Sequence, residues 1–265
     1  MFKSYLNKSS TTFLNFKKVV VDKLKLIKKF ILDILLPIEC LGCGEDNIWL
    51  CDKCFKKIII NTQELCPVCK KNSIYGKTHA WCAEKTYLDG LLIATENSKL
   101  LQQSIHRLKY NFIKTLAEPL SELLVNRIIQ ADNKETHPNW VRLLLTADLI
   151  VIPVPLHKRR LRWRSFNQAE LLAKIICQKF NLTLRSYILI RKKYTTPQVK
   201  LKRKKRLANM HQVFRVNKDW QNKITNTRIL LVDDIATTGA TLNECARVLK
   251  KYGALEVWGI VLSRG

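Results

Sequence analysis

Hydrophobic and polar positions fall along this chain in blocks that change character twice. In the first block Val20, Leu24, Ile27, Ile31 and Ile34 recur at three- and four-residue steps. That spacing predicts an amphipathic helix over Lys17–Leu36, ended by Pro37. Residues 37–84 hold few apolar runs and read as a module without a core of its own. From about Tyr87 the pattern becomes one of strands and helices in alternation. Strands are predicted at Leu91–Thr95, Leu149–Ile152, Tyr187–Ile190, Arg228–Asp234 and Val257–Leu262. Helices are predicted at Lys99–Tyr110, Thr115–Ile129, Phe166–Phe180 and Thr241–Tyr252, the last closed by Gly253. Ala131–Asn139 and Arg191–Arg206 read as loops. Such alternation implies βαβ crossovers and a parallel sheet, so the fold class is α/β. The organisation expected is a basic lead-in helix at 1–36, a cysteine-rich module at 37–84 and an α/β domain at 85–265, with no internal repeat visible.

Charge changes the picture. Among 265 residues, 47 are Lys or Arg and 21 are Asp or Glu, a net charge of +26. The excess excludes an acidic carrier of small molecules and points to a polyanionic partner. The lysines of Lys17–Leu36 flank its apolar stripe, which suits an anionic membrane surface; docking on the chain's own domain is the commoner use of such a helix and is preferred. The same window holds six lysines and two aspartates, which excludes a transmembrane span. No small-residue cleavage site follows it, so no secretory signal is evident and a cytoplasmic location is expected.

Seven of the nine cysteines lie between Cys40 and Cys82. Cys40–Cys43 and Cys51–Cys54 are two CxxC pairs, a spacing that lets both thiolates of a pair reach one ion. Four thiolates suit tetrahedral zinc. Cys66–Cys69 is a third pair, and His79–Cys82 repeats the step with an imidazole in place of one thiolate, giving a Cys3His set. Whether the pairs combine consecutively or cross over is open at this point. A coreless module of this size needs such staples. Cys177 and Cys245 lie within helical patterns and read as small buried hydrophobes.

The stretch Ile229–Thr241 carries the clearest chemistry. Four aliphatics end in Asp233 and Asp234, and a hydroxyl- and glycine-rich turn then opens a helix. Ligands of parallel sheets sit beyond the strand ends, and helix N-termini favour phosphate. Thr237, Thr238 and Thr241 add hydroxyl donors, and the two carboxylates suit sugar hydroxyls or hydrated magnesium.

Val-Asp-Asp-Ile-Ala-Thr-Thr-Gly-Ala-Thr resembles the phosphoribosyl pyrophosphate (PRPP) motif of type I phosphoribosyltransferases. More narrowly, the chain from about Leu36 onward is similar to the ComF family of bacterial competence-associated proteins. Leu108-Lys109-Tyr110, Pro153–His157, Arg164–Ala173 and Arg206–Asn209 are further matches. The resemblance implies a phosphoribosyltransferase-like domain at 85–265 behind a zinc-ribbon-like module. It implies that Asp233 and Asp234 hold the ribose hydroxyls of PRPP, with magnesium, and that Ala236, Thr237, Thr238, Gly239, Ala240 and Thr241 wrap its 5′-phosphate. Pro155, Leu156 and His157 would lie near the pyrophosphate, with Arg159 or Arg160 adding charge. Two departures stand out: Ser165 replaces the family's usual Gly, and Thr237 stands where some purine-using relatives carry an acid, so no built-in carboxylate base is evident.

Between Leu156 and Arg215 there are 18 Lys and Arg against one acid, Glu170, and Lys200–Arg206 holds six cations in seven residues. Trp163, Phe166 and Tyr194 are interleaved with these cations, a mixture that stacks bases while neutralising phosphates. The resemblance favours single-stranded DNA, with Trp163, Lys202, Arg203, Lys204 and Lys205 as its contacts, and a competence helicase as a partner. A flap over pyrophosphate is the competing use of the basic run. The preferred reading is a PRPP-binding DNA-uptake protein; the alternative is an active phosphoribosyltransferase acting on a nitrogen nucleophile. The last strand ends just before Gly265, so no nucleobase hood is expected there.

Overall fold

The computed structural model describes residues 38–132, 149–194 and 212–265. The lead-in helix and Lys202–Lys205 lie outside the described residues. In chain order the strands are β1 (Gly90–Ile93), β2 (Leu149–Pro153), β3 (Thr183–Leu184), β4 (Leu189–Arg191), β5 (Phe214–Val216), β6 (Arg228–Ala236) and β7 (Glu256–Arg264). The longer helices are α1 (Lys99–Tyr110), α2 (Ala117–Asp132), α3 (Lys158–Arg164), α4 (Gln168–Phe180) and α5 (Ala240–Lys251). Five strands form one sheet in the order β1-β7-β6-β2-β3, and every pairing in it is parallel. The expected parallel α/β architecture is therefore present.

β6 lies at the middle of this sheet because its aliphatic run has no solvated face: Ile229 to Val232 are all buried. Side chains alternate across it. Ile229 and Leu231 join Leu242, Cys245 and Leu249 of α5 and Phe214 of β5 in one core cluster. Leu230 and Val232 face the other side, where α4 packs on β6 and β2 and also against α2. β4 and β5 pair antiparallel as a separate ribbon, with Ile190 opposite Arg215.

Four elements differ from expectation. β3 and β5 are two and three residues long, too short for an alternation to register. α3 reads Lys-Arg-Arg-Leu-Arg-Trp-Arg, which has no apolar stripe to announce a helix. A 3-10 turn at Lys114–Leu116 delays the start of α2 to Ala117.

The chain divides into two compact units, Met1–Cys54 and Phe55–Gly265. Within the second, the segment around Cys66–Cys82 is sewn to the edge of the sheet. Lys77 bridges Gly90, and the Thr78 N–H donates to Asp89 O at 2.7 Å. Gly76 adopts φ 72, and a Cβ there would lie 2.4 Å from the Leu91 carbonyl oxygen, so backbone approaches backbone where only glycine fits. The Arg127 side chain of α2, nearly fully buried, donates to Ile93 O at 3.3 Å and pairs with Glu64 at 3.4 Å.

Candidate functional site

The cysteines resolve into two consecutive sets. Cys40, Cys43, Cys51 and Cys54 bring their Sγ atoms within 4.8 Å of one another, and so do the donor atoms of Cys66, Cys69, His79 and Cys82. Crossed pairing is therefore absent among the described residues. Each donor set has the number and softness that tetrahedral zinc requires.

The two sets also share one backbone design. Gly44 N–H donates to Cys40 O at 2.9 Å, and Lys70 N–H to Cys66 O at 3.0 Å. Both donors have positive φ, 78 and 60. Cys40 N–H bonds Glu45 O, and Cys66 N–H bonds Lys71 O; the bridges Glu39–Asp46 and Leu65–Asn72 complete the match. An internal repeat is thus present where none was expected, because it resides in backbone hydrogen bonds and in little beyond the CxxC pairs of the sequence. His79 is oriented for its role: Nε2 lies 3.0 Å from Asn72 O, which leaves Nδ1, 3.3 Å from Cys69 Sγ, facing the thiolates. Trp81 stacks on the imidazole at 4.3 Å.

The tandem aspartates close β6, and the strand's alternation sends them to opposite faces. Both are buried. Asp234 is met by the ammonium of Lys109, from the last turn of α1. Burial alone raises a carboxyl, but the charge and hydrogen bond of Lys109 outweigh it and hold Asp234 below the ordinary range. Asp233 faces the α5 side. Burial, reinforced by the Asp234 carboxylate, pushes it well above the ordinary carboxyl value, although its Oδ1 accepts from Asp234 N–H at 2.9 Å. The two carboxyls are thus pushed in opposite directions, Asp234 toward the ionised form and Asp233 toward the protonated one.

Beyond it the chain turns through Thr237, Thr238 and Gly239 into α5. Gly239 has φ 72 with open space where a Cβ would stand, so its conformation, not crowding, calls for glycine. The N-cap position of α5 is Gly239, and the Thr238 hydroxyl, one residue earlier, accepts from Ala240 N–H at 3.3 Å; Thr237 is exposed. Thr241 lies in the first turn.

The turn after β2 brings Pro155, Leu156 and His157 alongside, because Val154 N–H continues the ladder to Val232 O at 2.9 Å. Asn167 secures that turn: its Nδ2 donates to Val154 O at 3.0 Å while its Oδ1 caps α4 at Ala169 N–H. His157 caps α3 through Nδ1, which accepts from Arg159 N–H at 3.2 Å. Ser165 ends α3 at φ 65, the left-handed geometry that explains why glycine suits this position.

Cations gather around the acids. Arg160 is near enough to both Arg164 and Arg191 for its charge to act on each. Arg164, buried, feels the Asp234 charge and donates to Gln168 Oε1; Arg191 feels Asp233. Lys109, Arg164 and Arg191 come from three separate segments; the first two fall within the matched stretches Leu108–Tyr110 and Arg164–Ala173, which carry no role for them in the sequence reading, and nothing in the sequence singles out Arg191. Arg159 and Arg160 instead place their guanidiniums 5.2 and 5.7 Å over Tyr194, whose ring also meets His157 edge-on. Cys177 and Cys245 are buried as expected; burial raises the Cys177 thiol to about 11 and, helped by Asp233, raises Cys245 well above its ordinary value.

The expected stacking surface is corrected at one residue. Phe166 does not belong with Trp163 and Tyr194 on an exposed face: it is buried, with Lys114 over its ring at 5.2 Å. Trp163 is exposed but keeps different company, Tyr110 and Phe112.

Comparison with known proteins gives these sites a context. Residues 167–264 match the family model of the phosphoribosyl transferase domain, and 31–84 that of the double zinc ribbon domain. The chain is 30% identical to "Competence protein F" of Haemophilus influenzae over 80% of this chain and 89% of that protein. It is 30% identical to "DNA utilization protein YhgH" of Escherichia coli K12 over 63% of this chain and 70% of that protein, and 28% identical to "Competence protein ComFC" of Bacillus subtilis over 77% and 79%. Among the described residues no helix is long and apolar enough to cross a membrane. With its double zinc ribbon joined to a phosphoribosyltransferase-type domain, the chain belongs to the ComF family of competence-associated proteins.

Proposed function

We propose that this is a cytoplasmic DNA-utilisation protein that binds PRPP with magnesium at the end of β6 and handles single-stranded DNA, the zinc ribbons serving as structural staples. The observation that carries the reading is the convergence of a buried acid pair, a phosphate-type turn and the guanidiniums of Arg160, Arg164 and Arg191 at one end of a parallel sheet. Asp233 and Asp234 offer hard oxygen donors for ribose hydroxyls and for the magnesium that accompanies PRPP. The N-terminus of α5, with Thr237, Thr238 and Thr241, receives the 5′-phosphate. The arginines, with the Pro155–His157 turn, face the pyrophosphate. The relatives' names, a competence protein and a DNA utilization protein, support the DNA half of the reading. Binding rather than turnover is the activity proposed, since no carboxylate base stands at Thr237.

Calorimetry with PRPP and magnesium tests this. The wild-type chain should bind, and Asp233→Asn combined with Asp234→Asn should lose binding while keeping the far-ultraviolet circular dichroism of the folded chain, with a lower Tm because the pair with Lys109 is gone. Equal binding by the double variant would place the ligand elsewhere and overturn the assignment.

A further inference from the structure

Three exposed aromatic rings meet where α1 ends. Tyr110 is the last residue of that helix, Phe112 follows in the turn, and Trp163 comes from α3. They are 46%, 41% and 56% exposed. The Trp163 ring centroid lies 5.1 Å from Phe112, edge-on, and 6.1 Å from Tyr110. Rings this large usually enter the core, where their area is worth most. Phe112 moreover holds φ 60, a left-handed backbone that disfavours a bulky residue. Contact with another exposed ring is a small return for a strained backbone, and strain of this kind collects at ligand sites.

Charge narrows the ligand. Residues 97–117 and 155–169, which supply the rings, contain four and five Lys or Arg and no Asp or Glu. Beneath the rings, the buried Arg164 guanidinium lies 5.4 Å from the Tyr110 centroid. An apolar protein partner has no use for an acid-free cationic frame, and a small planar molecule needs few of these cations. A polymer that alternates phosphates with flat π faces uses both features.

We propose that Tyr110, Phe112 and Trp163 form a platform on which bases of a single-stranded nucleic acid stack, with Arg107, Arg162 and Lys114 taking its phosphates. This rests on the DNA-handling reading above and goes further by assigning the contact to α1 and α3 rather than to the Lys202–Lys205 run. It also sets the strand beside the acid pair, because Lys109, next to Tyr110, holds Asp234.

Fluorescence anisotropy of the full chain with a labelled oligo(dT) of about 20 nucleotides, over a range of salt concentrations, tests the proposal. Trp163→Ala and Phe112→Ala should each weaken binding by about 10-fold or more with the logarithmic salt slope unchanged, while Trp163→Phe keeps most of it. Arg107→Gln with Arg162→Gln should flatten the slope, by roughly 0.7 for each phosphate no longer neutralised. Length-matched polyphosphate should bind the wild type and the Trp163→Ala variant alike. If the wild type binds oligo(dT) and the ring variants bind it equally well, the platform is wrong and the DNA reading stands. If Trp163→Ala also loses polyphosphate, the loss is not one of stacking and the platform again fails. If the wild type binds no oligo(dT), the DNA reading fails and the platform with it.

Discussion

The ammonium of Lys109 meets the carboxylate of Asp234 from the last turn of α1, while Asp233, one residue earlier, faces α5. Adjacent acids on one strand therefore answer to different layers of the fold. Lys109 holds Asp234 toward the charged form, while burial and the charge of its neighbour push Asp233 toward the protonated one. The two titrate as a pair.

Lys109→Met tests that division. Removing one partner leaves a buried carboxylate, so unfolding by urea at pH 7 should show a loss of about 2–3 kcal/mol, moderated because Lys109 is partly exposed. The sign with pH follows from the depressed Asp234. Its stabilisation is complete above the unfolded carboxyl value and is lost as pH falls through the folded one. In the variant Asp234 rises instead, so the gap between the two proteins should narrow as acid protonates it. A gap that does not vary with pH would assign the loss to packing of the lysine stem.

Zinc content should divide by cluster. The purified chain should carry about two zinc ions. Cys40→Ser with Cys43→Ser should release one and leave the melting of the second unit in place. Cys66→Ser with Cys69→Ser should release the other and lower that melting, because its ribbon is bonded to β1 through Lys77 and Thr78. Colorimetric metal release followed by calorimetry reads both quantities; equal melting for the two variants would contradict the stitching.

Much of the molecule is legible in its sequence and some is not, for physical reasons. The end of β6 can be read because carboxylates after four buried aliphatics are conspicuous, and the zinc donors because CxxC spacing is a constraint on one ion. Lys109, Arg164 and Arg191 reach the acids across long stretches of chain, which no local pattern encodes. α3 is invisible because cations dominate it and its ends are set by His157 and the Asn167 turn rather than by an apolar stripe. Trp163 stands out in the sequence, but its ring partners come from α1, about fifty residues earlier, so proximity along the chain groups it wrongly with Phe166.

Ser165→Gly should stabilise. Ser165 sits at φ 65, where a Cβ costs energy that glycine avoids, and the gain should be about 0.5–1 kcal/mol after glycine's extra freedom when unfolded is counted. A rise in Tm of roughly 2 °C would follow. A lower Tm would mean that the serine hydroxyl contributes more than its backbone costs.

Gly76→Ala should act in the opposite sense. Its Cβ would drive into the Leu91 carbonyl, part of the β1 backbone, at a position that also requires positive φ. A loss of about 2 kcal/mol or more in urea titration is expected, together with faster hydrogen exchange along β1. Unchanged exchange there would show that the ribbon does not brace this edge.

The last residues of β7 act as a strut. Arg264 donates to Pro67 O at 3.1 Å, inside the Cys66–Cys69 knuckle, while Gly265 N–H donates to Ala236 O at 3.3 Å, where the phosphate-type turn begins. One side chain and the next residue's backbone thus touch the Cys66–Cys69 knuckle and the start of the phosphate-type turn at once. Two hydrogen bonds link the knuckle to the strand end that precedes Thr237 and Gly239. Under the proposed function, loss of the second zinc ion would therefore be felt beyond the ribbon, by removing a support on one side of the turn proposed to receive the phosphate.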